Sequence, residues 1–284
     1  MSAPPVFRLV DERRVSVARD PTAVRRVLDA DPVGACMVAA RVAEHGIEPA
    51  SIGGELWTRR GADESLCYAG ANLIPLRGAL TDLQAFADKA MGAARRCSSM
   101  VGRAELVLPM WRRLQHTWGP ARDVREHQPL MAMASRPTCP VDSEVRRVRV
   151  DELEPYLVAA IDMFIGEVGI DPRLGDGGRG YRRRVAGLIA AGRAWARFER
   201  GKVIFKAEVG SQSPAVGQIQ GVWVHPEYRG RGLGTTGTAA VVAGVVDTGR
   251  MASLYVNDFN TVARAAYAHV GFAEVGTFAT VLLD

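Results

Sequence analysis

Apolar positions along this chain recur at two periods, and each change of period marks an element. Residues 21–28 and 33–45 repeat apolar side chains at helical spacing, the second run closing on Gly46. Residues 55–59 and 66–75 read as strands. Leu83, Phe86, Ala87, Ala90, Met91 and Ala94 then share one helical face, and Thr81-Asp-Leu-Gln84 ahead of them has the form of a capping box. The apolar segment 104–111 fits neither period cleanly, and 130–134 closes the front half as a strand. Two prolines and few apolar residues between Ser135 and Asp142 mark a boundary, giving domains 1–138 and 143–284.

Behind that boundary the pattern predicts a strand at 144–150 and a helix capped by Asp151 that runs to about 165, with Pro155 early enough to be tolerated. A Gly- and Asp-rich loop (166–180) and a helix at 181–191 follow. An antiparallel meander comes next (194–199, 203–209, 216–224), then a helix at 235–246, a strand at 252–256, a helix at 261–270 and a closing hairpin (272–275, 278–283). The expected fold class is α+β, a mixed and mostly antiparallel sheet flanked by helices.

Between meander and helix lies Val222-Trp-Val-His-Pro-Glu-Tyr-Arg-Gly-Arg-Gly-Leu-Gly234. Glycines let backbone amides crowd together, and a helix N-terminus aims further N–H groups and a positive dipole end at one point, so the turn suits a phosphate or diphosphate. Gly232-Leu-Gly234-Thr-Thr-Gly237 also fits the dinucleotide pattern G-x-G-x-x-G, with Asp258 about 20 residues on. Only 26 residues remain after Asp258, too few for the further units of a doubly wound sheet. Gly-Lys-Ser/Thr occurs nowhere, which excludes a P-loop.

Composition adds limits. At 284 residues, 48% apolar and 24% charged, two ordinary domains are expected. No apolar run nears the roughly 18 residues of a membrane span, and the N-terminus lacks a signal peptide's apolar core, so a soluble cytoplasmic protein is expected. Cys36, Cys67, Cys97 and Cys139 show neither paired nor metal-ligand spacing, which reads as reduced thiols and no metal site. Residues 1–140 hold 19 basic and 15 acidic side chains and the remainder 17 and 16, so the positive excess sits in front. No nucleic-acid-binding module accompanies it, and nucleic acid is not the expected partner.

A second motif follows the first by about 20 residues: Leu254-Tyr-Val-Asn257-Asp-Phe-Asn260, with Ala263, Tyr267 and Gly271-Phe272 spaced behind it. Together, V-x-P-x-x-R-G-x-G-x-G and L-Y-V-N-x-x-N-x-x-A-x-x-x-Y-x-x-x-G-F resemble the GNAT (GCN5-related) N-acetyltransferase superfamily over roughly residues 144–284. The whole chain is similar to two-domain GNAT proteins. Its front half echoes the same element order without the glycine turn, and reads as a degenerate GNAT-like α/β domain that shapes the acceptor cleft or holds a homodimer together.

The resemblance implies acetyl-CoA as cofactor and transfer of its acetyl group to a primary amine of a small molecule or peptide, directly, in a ternary complex. It also implies the site. Main-chain groups of Trp223 and Val224 would meet the pantetheine arm and thioester. Amides of Arg229, Gly230, Arg231, Gly232, Leu233, Gly234 and Thr235 would cradle the diphosphate. Asn257 and Asn260 match cofactor-contacting asparagines; otherwise Asn257 ends a strand and Asn260 caps a helix. Tyr267 matches the tyrosine that donates to the coenzyme A sulfur, unless it is a core aromatic on Phe272. Where many relatives carry a glutamate base, this chain has Gln218. Glu208 on the preceding strand is the nearest acid, with a solvated or salt-bridged carboxylate as its other reading. His225 and His269 read as surface histidines. Acidic Glu167, Asp171 and Asp176 would attract a cationic acceptor, and Arg182 to Arg184 an anionic one. A non-catalytic acyl-CoA-binding module is the alternative.

Overall fold

A computed structural model describes residues 14–59 and 64–283. The chain divides into two compact units, residues 1–126 with 278–284, and residues 127–277. The proline-bearing segment 135–142 lies inside the second.

In the first unit β1 (Val15–Val17) leads to α1 (Pro21–Ala30), α2 (Cys36–His45) and a single helical turn, α3 (Pro49–Ile52). Asp20 caps α1, its carboxylate accepting from the Thr22 N–H at 2.8 Å, and Pro21 supplies a preset φ at the first helical position. Next come β2 (Gly54–Arg59), β3 (Leu66–Gly70), β4 (Asn72–Arg77), α4 (Leu80–Met91), β5 (Ser99–Arg103) and α5 (Ala104–Trp118). Strands β1 to β4 pair antiparallel in sequence order, and β4 pairs parallel with β5 across α4. Leu83, Phe86 and Ala87 of α4 and Val107, Met110 and Leu114 of α5 are fully buried on this sheet.

Two expectations change here, and the segment without a clear period takes one. Residues 66–75 are not one strand but parts of the β3–β4 hairpin. Its turn is built from residues without bulk: a Cβ at Gly70 would stand 2.3 Å from the Tyr68 hydroxyl, which is fixed on the Ile52 carbonyl at 3.1 Å. The segment 104–111 is helical and continues to Trp118 with Pro109 inside it. The cap of α4 is Asp82, whose carboxylate accepts from the Ala79 N–H at 2.9 Å; Thr81 already lies in the first turn.

The second unit carries most of β6 (Asp123–Met133), then β7 (Arg146–Arg147), α6 (Leu153–Val168), α7 (Arg179–Ala190), β8 (Ala194–Glu199), β9 (Lys202–Gln212), β10 (Val216–Val224), α8 (Leu233–Val246), β11 (Met251–Tyr255), α9 (Thr261–Val270) and the start of β12 (Ala273–Leu282). Its strand order is β6-β11-β10-β9-β8-β7, antiparallel except for β10 beside β11. One face buries α8 and α9, with Phe205, Val209, Ile219 and Leu254 beneath them; the other buries Tyr156, Ala160, Val185 and Leu188 of α6 and α7. The strand expected at 144–150 shrinks to β7. The cap expected from Asp151 is absent: a 3-10 turn at Val150–Glu152 precedes α6, and Glu152 instead accepts from the Arg149 N–H at 2.9 Å. The closing hairpin is one strand. Gly276 continues β12 at φ +149°, and Phe278 to Leu282 pair with β5 in the first unit. Among the described residues no helix is long and apolar enough to cross a membrane.

Candidate active site

Strand β10 follows β9 along its length but touches β11 only from Val216 to Gln218. Its register on β9 breaks twice, at Gln218/Ile219 and at Gln220/Trp223. Gly221 carries the second break at φ +59°, where a Cβ would lie 3.0 Å from Met163 Cε and 3.2 Å from Lys206 Nζ. Only glycine fits that bend. Beyond Gln218 the edge of β10 facing β11 has no ladder partner among the described residues, an opening that suits an extended ligand.

Pro226 ends the strand and starts a 3-10 turn (Pro226–Tyr228). Gly230 (φ +73°) and Gly232 (φ +80°) are left-handed, and Gly232 is the residue from which α8 departs. The outer amides of the expected cradle are engaged: the Arg229 N–H donates to the Pro226 carbonyl at 3.3 Å and that of Thr235 to the Gly232 carbonyl at 3.0 Å. Between them, the N–H groups of Gly230, Arg231, Gly232, Leu233 and Gly234 have no acceptor among the described residues. Five adjacent donors at the positive end of a helix favour a multiply charged anion. Gly237 holds the helix low on the sheet, because a Cβ there would come within 2.6 Å of the Phe205 ring.

The two loop arginines brace the turn. Arg229 Nε donates to the Val224 carbonyl at 3.1 Å, so that carbonyl is already engaged inside the chain. Arg231 donates to the Glu227 carbonyl at 2.9 Å and lies over the Tyr228 ring at 5.1 Å. Both remain exposed, with guanidinium donors left for phosphate oxygens. Trp223 points to the α6/α7 face and meets His225 edge-on at 5.7 Å.

On α9, Tyr267 belongs to the core under α8 and α9 together with Val224, Val222 and Ala263. Its ring meets Phe272 at 6.1 Å. Its hydroxyl makes no hydrogen bond among the described residues. Burial first, and then the charge of Glu167, push the Tyr267 phenol well above the usual tyrosine range, which keeps it protonated. Asn260 caps α9, accepting from the Ala263 N–H at 3.2 Å, and Asn257 accepts from buried Gln128 at 2.8 Å. His269 is exposed in the last turn of α9.

Glu208 has a different setting. It lies on the opposite face of the sheet, 1% exposed, with Lys206 Nζ at 2.8 Å, Arg184 at 3.3 Å and the Tyr156 hydroxyl at 3.4 Å. Burial alone would raise its pKa. The Lys206 and Arg184 charges and hydrogen bonds from Lys206 and Gln220 outweigh it, and the carboxyl is held below its ordinary value. Glu208 thus sits against α6 and α7, whereas Tyr267 belongs to the core under α8 and α9. Sequence reasoning missed Lys206, Tyr156 and Gln220 around it. Lys206 and Glu208 stand two apart on one strand and so share a face, which was the available signal.

Gln218 is 1% exposed, and its side-chain Nε2 has no partner among the described residues. Its register neighbour Ser253, fully buried, has an equally unpartnered hydroxyl. In the loop between α6 and α7, Asp171 pairs with Arg173 at 2.7 Å and Asp176 accepts from the Gly178 and Gly180 N–H groups, so both organise the loop itself. Arg182 pairs with Glu154.

Residues 54–156 match a domain of unknown function (DUF4081), and residues 207–281 match the FR47-like protein family. No curated protein matches the chain. Among solved structures it is similar to a Drosophila protein (12% identity, TM-score 0.65, covering 95% of this chain and 98% of that one). It is also similar to a GNAT-family acetyltransferase from Colwellia psychrerythraea (10%, 0.57, 95% and 100%) and to a GCN5-related N-acetyltransferase from Kribbella flavida (15%, 0.52, 86% and 95%). At such identities the likeness is one of fold, and the chain is accordingly a GNAT-fold protein whose FR47-like stretch spans the glycine turn and the helices on either side of β11.

Proposed function

We propose that the second unit is an N-acyltransferase, moving an acyl group from a coenzyme A thioester, acetyl-CoA foremost, to a primary amine of a small molecule or peptide within a ternary complex. The observation that carries this reading is the run of five unaccepted N–H groups from Gly230 to Gly234, at the start of α8 and beside the edge of β10 that parts from β11. The donor, when bound, supplies an acyl carbon activated toward amines. The amides and the two arginines would take its diphosphate, and the open edge of β10 around Trp223 its extended arm. Asn260, the cap of α9, and Asn257, held by Gln128, would border the site.

Tyr267 is the proton donor to the departing thiolate: buried, protonated and without a partner for its hydroxyl. The same Glu167 charge that acts on this phenol would draw a cationic amine toward it. Glu208 we assign as counter-ion to Lys206 and Arg184 rather than as base, because a lowered pKa and a full set of donors leave it little basicity. An acceptor amine would then lose its proton to water. The first unit, in which α4 follows β4 through Arg77-Gly78-Ala79, has no glycine turn and is given no transfer chemistry.

The rival reading, a non-catalytic acyl-CoA-binding module, draws on the neutral Gln218 and the engaged Glu208. Thiol release from acetyl-CoA across a panel of primary amines separates the two. Turnover on any amine, lost in Tyr267→Phe with cofactor affinity retained, supports the enzyme. Calorimetric binding with no turnover on the whole panel would leave the module, and wild-type affinity in Gly232→Asp would overturn the site itself.

A further inference from the structure

The first unit contains a cavity of about 880 Å³ that no residue of the proposed transfer chemistry lines. It lies where β2 begins and the β3–β4 hairpin turns, against the C-terminal ends of α4 and α5. Its inner wall is apolar: Trp57, Leu73 and Ala90 are buried, and Trp118, the last residue of α5, stands half-buried beside them. Two positions of that wall cannot carry a side chain. A Cβ on Gly54 would stand 2.6 Å from the Ala69 carbonyl oxygen, and one on Gly70 would run into the Tyr68 side chain. Volume and lining are those of a small-molecule site.

The charged groups set into this wall answer one another. Glu55 accepts from Trp57 Nε1 at 2.6 Å and meets Lys89 Nζ at 3.7 Å, while Lys89 covers the Trp57 ring at 4.8 Å. Lys89 also stands in the last turn of α4, where the helix carbonyls favour a cation. Arg95 and Arg96 lie at the rim, exposed to solvent. A charged group carried inside would lie against tryptophan, leucine and alanine and compete for Lys89 or Glu55, a desolvation cost with no matching gain. A ring system suits the same wall, because it buries apolar area against two indoles and leaves the ion pair undisturbed. We infer that this cavity binds an uncharged aromatic small molecule, seated against Trp57, Leu73 and Trp118.

The test uses the full chain and two fluorescent probes that differ by one charged group, uncharged N-phenyl-1-naphthylamine and 1-anilinonaphthalene-8-sulfonate. One uncharged probe should bind per chain, at least as tightly as the sulfonate, and saturating coenzyme A should leave it in place. Ala94→Trp, which brings a ring into the cavity from an exposed position on its wall, should weaken the uncharged probe by about tenfold or more. Trp118→Ala takes away one of the two indoles and should also weaken it by about tenfold. Melting curves establish that each variant is folded, and either folded variant suffices. No saturable binding of the uncharged probe, tighter binding of the sulfonate, unchanged affinity in a folded variant, or displacement by coenzyme A would each overturn the inference.

Discussion

Tyr267 and Glu208 are both buried and ionisable, yet their surroundings assign them opposite work. Replacing Tyr267 by Phe keeps the ring contact with Phe272 and breaks no hydrogen bond seen in the structure. Stability should change by less than about 1 kcal/mol, whereas acyl transfer should fall by about 10²–10⁴-fold if the phenol protonates the leaving thiolate. Melting and thiol-release rates on one preparation check both halves. Glu208→Gln should act the other way. It strips the counter-charge from Lys206, which is 0% exposed, and should destabilise the chain by about 3–5 kcal/mol in urea. Glu208→Leu with Lys206→Met removes both charges together and should recover most of the loss. A Glu208→Gln chain of wild-type stability and no turnover would return the residue to the role of base.

At the scale of elements, the register breaks of β10 and the depth of α8 determine where the open edge and the free amides meet. Gly237 sets that depth. Gly237→Ala forces a methyl into the Phe205 ring and should cost about 1–3 kcal/mol, with weaker coenzyme A binding as the start of α8 is pushed outward. Gly234→Ala, with 3.8 Å to Val224 Cγ2, has room for its methyl and should keep its stability; urea titration of the pair checks the contrast. This stretch was the most legible in the sequence because its geometry is local: Pro226 stops a strand, Gly230 and Gly232 permit left-handed turns, and an apolar run follows. The meander, the parallel strand β11 and helix α9 were equally readable. Elsewhere the pattern misled because the deciding partner is distant in sequence. Residues 66–75 look like one apolar strand until Tyr68 is seen fixed on Ile52. Gly276-Thr277 looks like a turn, yet β12 runs on because β5 offers its final residues a partner. The fate of Glu208 depends on Arg184 and Tyr156, which lie on two different helices.

For the molecule as a whole, ionised carboxylates tie its stability to pH, and they occur in both units. Asp31 in the first accepts from Arg103 at 2.8 Å, and hydrogen bonds from Arg103 and Gly34 outweigh burial to hold its carboxyl low. In the second, Glu208 is lowered as described, and Glu152 is lowered to about 2, chiefly by its hydrogen bond from Arg146. A carboxyl whose folded pKa lies below its unfolded one stabilises the chain fully above the unfolded value, near 4. That contribution disappears as pH falls through the folded value. Stability should therefore hold from neutrality to about pH 5 and decline from there toward pH 2. The tyrosines act on the opposite limb. Tyr156 and Tyr267 are raised, mainly by burial, so folding favours their protonated forms, and their contribution is present below about pH 10 and is lost as pH rises beyond it. Urea midpoints at pH 7, 5 and 3 measure the acid limb. The Glu208→Leu/Lys206→Met chain should lose less stability than wild type between pH 5 and 3, because it lacks one of the carboxylates that must be protonated. An identical loss in both chains would mean that Glu208 is not held low in the fold, and its availability as a base would reopen.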